Sequence, residues 1–169
     1  MKFKKIICWP PLLGGVGAGG TIGNLAYITF QSILAGTNYG LWLAASFGSS
    51  VVVVFGYPDN EFAQPKNVLV GHLLCALVGI IFVTLFKITQ DRTIFFLTIG
   101  LAVGLSVMLM MALKITHPPA GGNTIEVMLA QDSFQFLIFP IMVGAITIII
   151  GGVIYNRLIL KKNYPLKWL

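Results

Sequence analysis

Thr116-His117-Pro118-Pro119-Ala120-Gly121-Gly122-Asn123 interrupts a chain whose surroundings otherwise call for unbroken apolar helix. Two prolines and two glycines forbid a continuous helix here. In hydrocarbon, broken backbone is tolerated only where protein or a water-filled cavity satisfies it. The stretch therefore decides the fold, a membrane bundle with an interrupted helix, and it marks a candidate functional site. Pro118 disfavours helical geometry at His117, so the preceding helix is expected to end near Thr116. Pro119 suits a turn or a first helical residue. Gly121 and Gly122 allow close backbone approach. Asn123 followed by Glu126 resembles a capping box, which predicts a short helix from Thr124. The amides of Thr124, Ile125 and Glu126 would then point into the gap.

The rest of the chain supports the membrane reading. Its 169 residues suit a single membrane domain, 57% apolar and 9% charged with mean hydropathy +0.90, against roughly 25% charged in soluble domains. Four segments, about 11–36, 67–87, 93–114 and 135–157, reach the ~20 residues that cross a bilayer. Two shorter apolar pieces, 41–55 and about 119–131, fall between them, and apolar stretches of that length are re-entrant or interfacial more often than spanning. The expected fold is an all-α polytopic membrane protein with four transmembrane helices plus two short re-entrant or broken helices. The net charge of +6 does not point to nucleic acid. The basic residues gather at the chain ends (Lys2, Lys4, Lys5; Arg157, Lys161, Lys162, Lys167) without interleaved aromatics. Cys8 and Cys75 have no metal-like spacing and read as small buried hydrophobes. The start, Met1 to Lys5 before an apolar run, imitates a signal peptide. The glycine-rich run Gly14 to Gly20 continuing to Leu34 instead reads as one long first span.

An offset of 73 residues superposes two triplets: Gly48 falls on Gly121, Ser50 on Asn123, Gly71 on Gly144 and Gly79 on Gly152. Ser50 and Asn123 are both good N-cap residues. The domain thus reads as a duplication, repeat 1 about 11–87 and repeat 2 about 93–157. With four spans and re-entrant short helices the repeats are parallel. Lys87 and Arg92 then lie with the termini, and Lys66 and Lys114 opposite. With six spans the repeats are inverted and these pairs exchange sides. Either way nine basic residues share the side of the termini and two lie opposite, so the positive-inside rule does not separate the models. The four-span arrangement is preferred, because 119–131 is short and carries Glu126. Both termini are expected in the cytoplasm, and the expected location is a bacterial inner membrane.

Two helix N-termini meeting at mid-membrane favour an anion, through free amides and the helix dipole. The candidate substrate-binding residues are Gly48, Ser49 and Ser50 from one repeat, and His117, Gly121, Gly122, Asn123 and Thr124 from the other. The bland alternative is that the turns are packing corners with satisfied caps. Glu126 reads as structural if it completes the capping box, or as a proton carrier if burial raises its pKa. His72 is by default a structural histidine in the second span, while His117 has the better claim to a pathway, and either could relay protons. Lys66 and Lys114 snorkel to headgroups or draw anions to a mouth. No nucleophile elbow, phosphate loop or carboxylate pair supports an enzyme, and no cofactor or metal is expected.

With those residues in hand, the chain resembles the HPP family of integral membrane proteins, named for a His-Pro-Pro motif. The matching residues are His117-Pro118-Pro119 continuing to Asn123, and Phe47-Gly48-Ser49-Ser50 running through Phe55-Gly56 and Ala63-Gln64-Pro65-Lys66-Asn67 to Gly71-His72. The resemblance covers about residues 12–157. It implies four transmembrane helices, and, since some plant plastid and cyanobacterial relatives are associated with nitrite transport, a transporter or channel for a small monovalent anion such as nitrite. The cytosolic CBS domains of some bacterial relatives are not expected here, so the resemblance does not imply nucleotide regulation. The competing reading is a non-transporting scaffold that oligomerises through its glycine-rich helices. Expected partners are a small inorganic anion, the lipid bilayer and further copies of the chain.

Overall fold

The computed structural model describes residues 9–35, 44–89, 95–130 and 133–168. Lys2, Lys4, Lys5, Cys8, Arg92 and the side chain of Lys87 lie outside the described residues. All regular elements described are helical: α1 (Trp9–Leu34), α2 (Ser46–Gly56), α3 (Pro65–Thr89), α4 (Phe95–Ala112), α5 (Gly121–Ala130) and α6 (Val143–Ile154). Wider turns flank α6, Leu137–Met142 before it and Tyr155–Ile159 after it, and the first is kinked at Phe139 (φ −126°, ψ 115°) ahead of Pro140. Short 3-10 turns, Glu61–Ala63 and Pro118–Ala120, lead into α3 and α5. Pro65–Phe86, Phe95–Ala112 and Leu137–Ile159 are long and apolar enough to cross a membrane. α1 has 26 residues, roughly 39 Å at the helical rise. The order long, short, long therefore occurs twice.

Local chemistry sets the boundaries. α3 begins on Pro65, whose missing N–H costs nothing at a first helical position. His117 is extended (φ −134°, ψ 97°), as Pro118 requires. α4 stops at Ala112 and not near Thr116. There Lys114 adopts a left-handed φ of 54°. Its N–H bonds Met111 O at 3.2 Å while that of Ile115 bonds Met110 O at 3.0 Å. That pairing is a Schellman ending, sealed by burial of Met110 and Ile115, and it usually carries glycine. A lysine gives no such signal in sequence.

Both short helices begin earlier than their expected caps. α2 starts at Ser46 and α5 at Gly121, so Ser50 and Asn123 are interior residues and not N-caps. The reason is visible at Pro118–Ala120. The turn is closed by Ala120 N–H to His117 O at 2.9 Å, Gly121 N–H bonds the carbonyls of Pro118 and Pro119, and α5 grows directly from it. The amides of Thr124, Ile125 and Glu126 consequently sit within the helix and do not line a gap.

Close contacts fix the chain path. Glycine allows α3 and α5 to touch at Gly71, where a Cβ would stand 3.6 Å from that of Ala120, and at Gly79, where it would stand 3.1 Å from that of Val127. α5 therefore runs alongside α3 in the same direction. Likewise Gly144 meets the Phe47 ring and Gly152 meets Val54, so α2 runs with α6. α1 opposes α6, through Gly14 and Gly17 against Tyr155 and Thr21 against Gly151. The C-terminal tail lies over the start of α3, Tyr164 donating to Ala63 O at 2.7 Å and Leu166 N–H to Gln64 Oε1 at 2.8 Å. α1 and α3 thus both start on the face covered by this tail and run the same way. α4 returns antiparallel to α3, bringing Phe95 to Phe86 and Thr116 to Asn67.

A re-entrant α2 would leave α1 and α3 antiparallel, whereas the described residues of these two helices run the same way. The ten residues of α5 follow a partly extended lead-in, Leu113 to His117, and an extended residue advances ~3.3 Å against 1.5 Å in a helix.

Candidate functional site

α2 and α5 begin beside each other, and α3, packed along α5, brings His72 to the junction. Ser46, the first residue of α2, donates its hydroxyl to Asn123 Oδ1. Asn123 Nδ2 donates to the carbonyl of His72 at 3.2 Å and to its Nδ1 at 2.8 Å. A carbonyl only accepts, so the amide orientation is set, and with it the acceptor role of His72 Nδ1. Neutral His72 then carries its proton on Nε2 and donates to Ser50 Oγ at 2.8 Å. The two residues related by the 73-residue offset, Ser50 and Asn123, thus grip opposite nitrogens of one imidazole. The Phe47 ring edge stands 5.2 Å from that imidazole between centroids.

His117 completes the cluster. Its Nδ1 donates to Phe62 O at 2.7 Å, and its Nε2 lies 3.0 Å from Ser50 Oγ. The hydroxyl that accepts from His72 is free to donate to His117. Ser50 Oγ also lies 3.1 Å from Ser46 O, a second acceptor. Ser50, His72, His117 and Asn123 are all fully buried, so every imidazole nitrogen is bonded without water. The imidazoles themselves are 5.0 Å apart. His72, read by default as a structural histidine able to bond across helices, holds Ser50 and Asn123 on its two ring nitrogens.

Several candidates lie elsewhere. Glu126 is not part of a capping box on Asn123. It accepts Ala45 N–H at 3.2 Å, which places a carboxylate at the start of the other short helix, where the dipole favours it. Thr124 faces away from the histidines, donating to Cys75 O at 2.9 Å and accepting from Ser106 at 2.8 Å. It ties α5 to α3 and α4. Gly48 and Ser49 are exposed on the outer side of α2, Ser49 bonding only back to Ser46 O. Gly121 is half-buried and Gly122 exposed, with Ser46 beside the latter. Sequence reasoning missed Ser46, whose signal was its place one turn before Ser50, and the Phe62 carbonyl, for which none existed. Among the described residues no three His, Cys, Asp or Glu side chains gather as a metal site.

Lys66 and Lys114 do meet. With Lys167, Glu61, Asn67 and Thr116 they line a pocket of about 510 Å³ on the tail-covered face. Phe62 also lines it, and the carbonyl of Phe62 is the partner of His117 Nδ1. The pocket therefore stands directly outside the histidine cluster. Three cations against one carboxylate make it an electropositive mouth. Lys167 could be placed here only by the folded tail.

The family model described as the HPP transmembrane region matches residues 6–165. A transmembrane protein of Dictyostelium discoideum is 34% identical over 130 residues, 75% of this chain and 45% of the relative. A second from the same organism is 30% identical over 132 residues, 76% and 42% respectively. The chain thus spans less than half the length of these relatives. No solved structure matches it. Nearly its whole length, including the His117-Pro118-Pro119 turn that breaks the bundle, falls within the match, and the chain belongs to the HPP family of integral membrane proteins.

Proposed function

We propose that this protein carries a small monovalent anion such as nitrite across a membrane, and that the described conformation is closed. The observation that carries the reading is the polar cluster of Ser46, Ser50, His72, His117 and Asn123, buried where two inverted half-helices begin, beneath a lysine-lined pocket. Interrupted helices meeting near mid-membrane are a recurrent transporter device. Ionisable side chains kept inside a membrane bundle, here His72 and His117, are functional-site candidates by default. Lys66, Lys114 and Lys167 would concentrate the anion at the mouth, and Ser46, Ser50 and Asn123 would receive it when α2 and α5 part.

The chain path favours six crossings arranged as two inverted repeats from a duplication. The contacts obey the 73-residue offset in exchange: Gly71 with Ala120 matches Gly144 with Phe47, and Gly79 with Val127 matches Gly152 with Val54. The tail-covered face carries Lys66, Lys114, Arg157, Lys161, Lys162 and Lys167, and is assigned to the cytoplasm by the positive-inside rule.

Nitrite uptake into proteoliposomes tests the function. Wild type should exceed both protein-free vesicles and the Asn123→Leu and Ser50→Leu variants, and equal flux in all of them sinks the proposed site. The scaffold reading has one observation in its favour, the filling of the junction by side chains. It predicts no protein-dependent flux and intact oligomers in detergent.

A further inference from the structure

The cluster has a property beyond anion binding. Its hydrogen bonds form a one-way chain: Asn123 amide to His72, His72 Nε2–H to Ser50, Ser50 O–H to His117 Nε2, His117 Nδ1–H to Phe62 O. Each donor has an acceptor, but Ser50 has a spare one, the Ser46 carbonyl at 3.1 Å. Turning its hydroxyl from His117 to Ser46 O frees the lone pair on His117 Nε2. A proton bound there would donate straight back to Ser50 Oγ across the same 3.0 Å. Ser50 would then accept from both imidazoles and donate to Ser46, with no bond lost. Only one hydroxyl rotation separates the neutral cluster from one holding a proton.

That proton creates an imidazolium in a fully buried place. The charged and titratable groups around it are His72 on α3, Glu126 on α5, and Glu61, Lys66, Lys114 and Lys167 at the pocket. Of the two carboxylates, Glu126 receives the Ala45 amide and Glu61 lines the lysine pocket. The starts of α2 and α5 add positive dipole ends. The cluster itself holds no carboxylate and a buried cation without a partner is costly, so an anion beside Nε2 would stabilise the protonated state.

Resting on the transport reading above, we propose that His117, switched by Ser50, binds one proton with each anion, so that the protein carries them together as an electroneutral pair. The balance is simple. The weak acid HX gives its proton to Nε2, its O–H bond breaking as the N–H bond forms, and X⁻ remains beside the imidazolium. Release on the other side reverses both steps.

The test is nitrite uptake into proteoliposomes, with protein-free vesicles subtracted, under an imposed pH gradient or an imposed voltage. Acidifying the outside by one unit should raise initial uptake about tenfold, following proton concentration at fixed nitrite, while a potassium–valinomycin voltage should leave it unchanged. His117→Gln, checked for monodisperse elution, should lose the response to pH. Wild-type uptake that follows voltage and ignores the pH gradient overturns the coupling and leaves the anion path standing. Absence of protein-dependent uptake under every condition overturns the transport reading and the coupling with it.

Discussion

Gly144→Ala is the sharpest test of how the two halves interlock. Gly144 lies on α6 where the Phe47 ring of α2 crosses it, and a Cβ would occupy the space of the ring's edge carbons. The ring has little room to yield. It is fully buried and its other side meets His72. Overpacking of this kind costs about 1–3 kcal/mol, and the rigid neighbours put this site near the upper value. Alanine recovers up to about 1 kcal/mol through helix propensity, leaving a net loss of about 2 kcal/mol. For a chain of this size that lowers Tm by roughly 4–8 °C, which thermal unfolding in detergent followed by size-exclusion chromatography would read. Gly48→Ala is the matched control, because its added methyl meets nothing within 4 Å and should be neutral or stabilising. Adding Phe47→Leu to Gly144→Ala should recover stability relative to the sum of the single changes, as expected for residues in contact. Equal melting of Gly144→Ala and Gly48→Ala would refute the close approach, and with it the packing of α2 along α6.

Ser50→Ala removes a partner from each imidazole Nε2 and should destabilise by about 2–6 kcal/mol, at about 1–3 kcal/mol per orphaned group. Ser49→Ala, on the exposed side, should stay within about 0.5 kcal/mol, and similar losses in both would contradict the clamp. Replacing Lys66, Lys114 and Lys167 by alanine should slow nitrite uptake at low ionic strength, with the difference shrinking as salt screens the pocket. A salt-independent defect would show that these lysines do not steer the anion. Tyr164 is buried outside the spanning rods, and that burial raises its phenol above the usual value. A raised folded pKa means that stability is fully present below the unfolded value of about 10 and falls as pH climbs through and above it. Melting between pH 8 and pH 11 should show this fall in wild type and a shallower one in Tyr164→Phe.

Much of the architecture was legible from residue types alone. Low charge and repeated apolar runs marked the membrane bundle, and Pro118-Pro119 with Gly121 and Gly122 marked the break. The glycines paired by the offset, Gly71 with Gly144 and Gly79 with Gly152, all stand at close helix contacts. The caps were misread, because Ser50 and Asn123 have the chemistry of helix starts while the helices actually start from the turn at Pro118–Ala120 and from Ser46. Nothing in a capping preference reveals that a polar side chain has found a better partner on another helix.

Helix direction and the polar cluster were decided only in three dimensions. Hydropathy reports how long a segment stays apolar and not which way it runs, and basic residues were balanced identically in both arrangements. Direction emerged largely from contacts between residues far apart in the chain, such as Asn67 with Thr116, 49 positions away, and Tyr164 with Ala63, 101 away. The sequence by itself determined that the chain must enter a membrane and break within it, since composition and backbone stereochemistry are local properties. Only the tertiary structure decided that the break faces its counterpart across His72, because that cluster draws Ser46 and Ser50 from α2, His72 from α3, Asn123 from α5 and His117 from just before the turn that leads into α5.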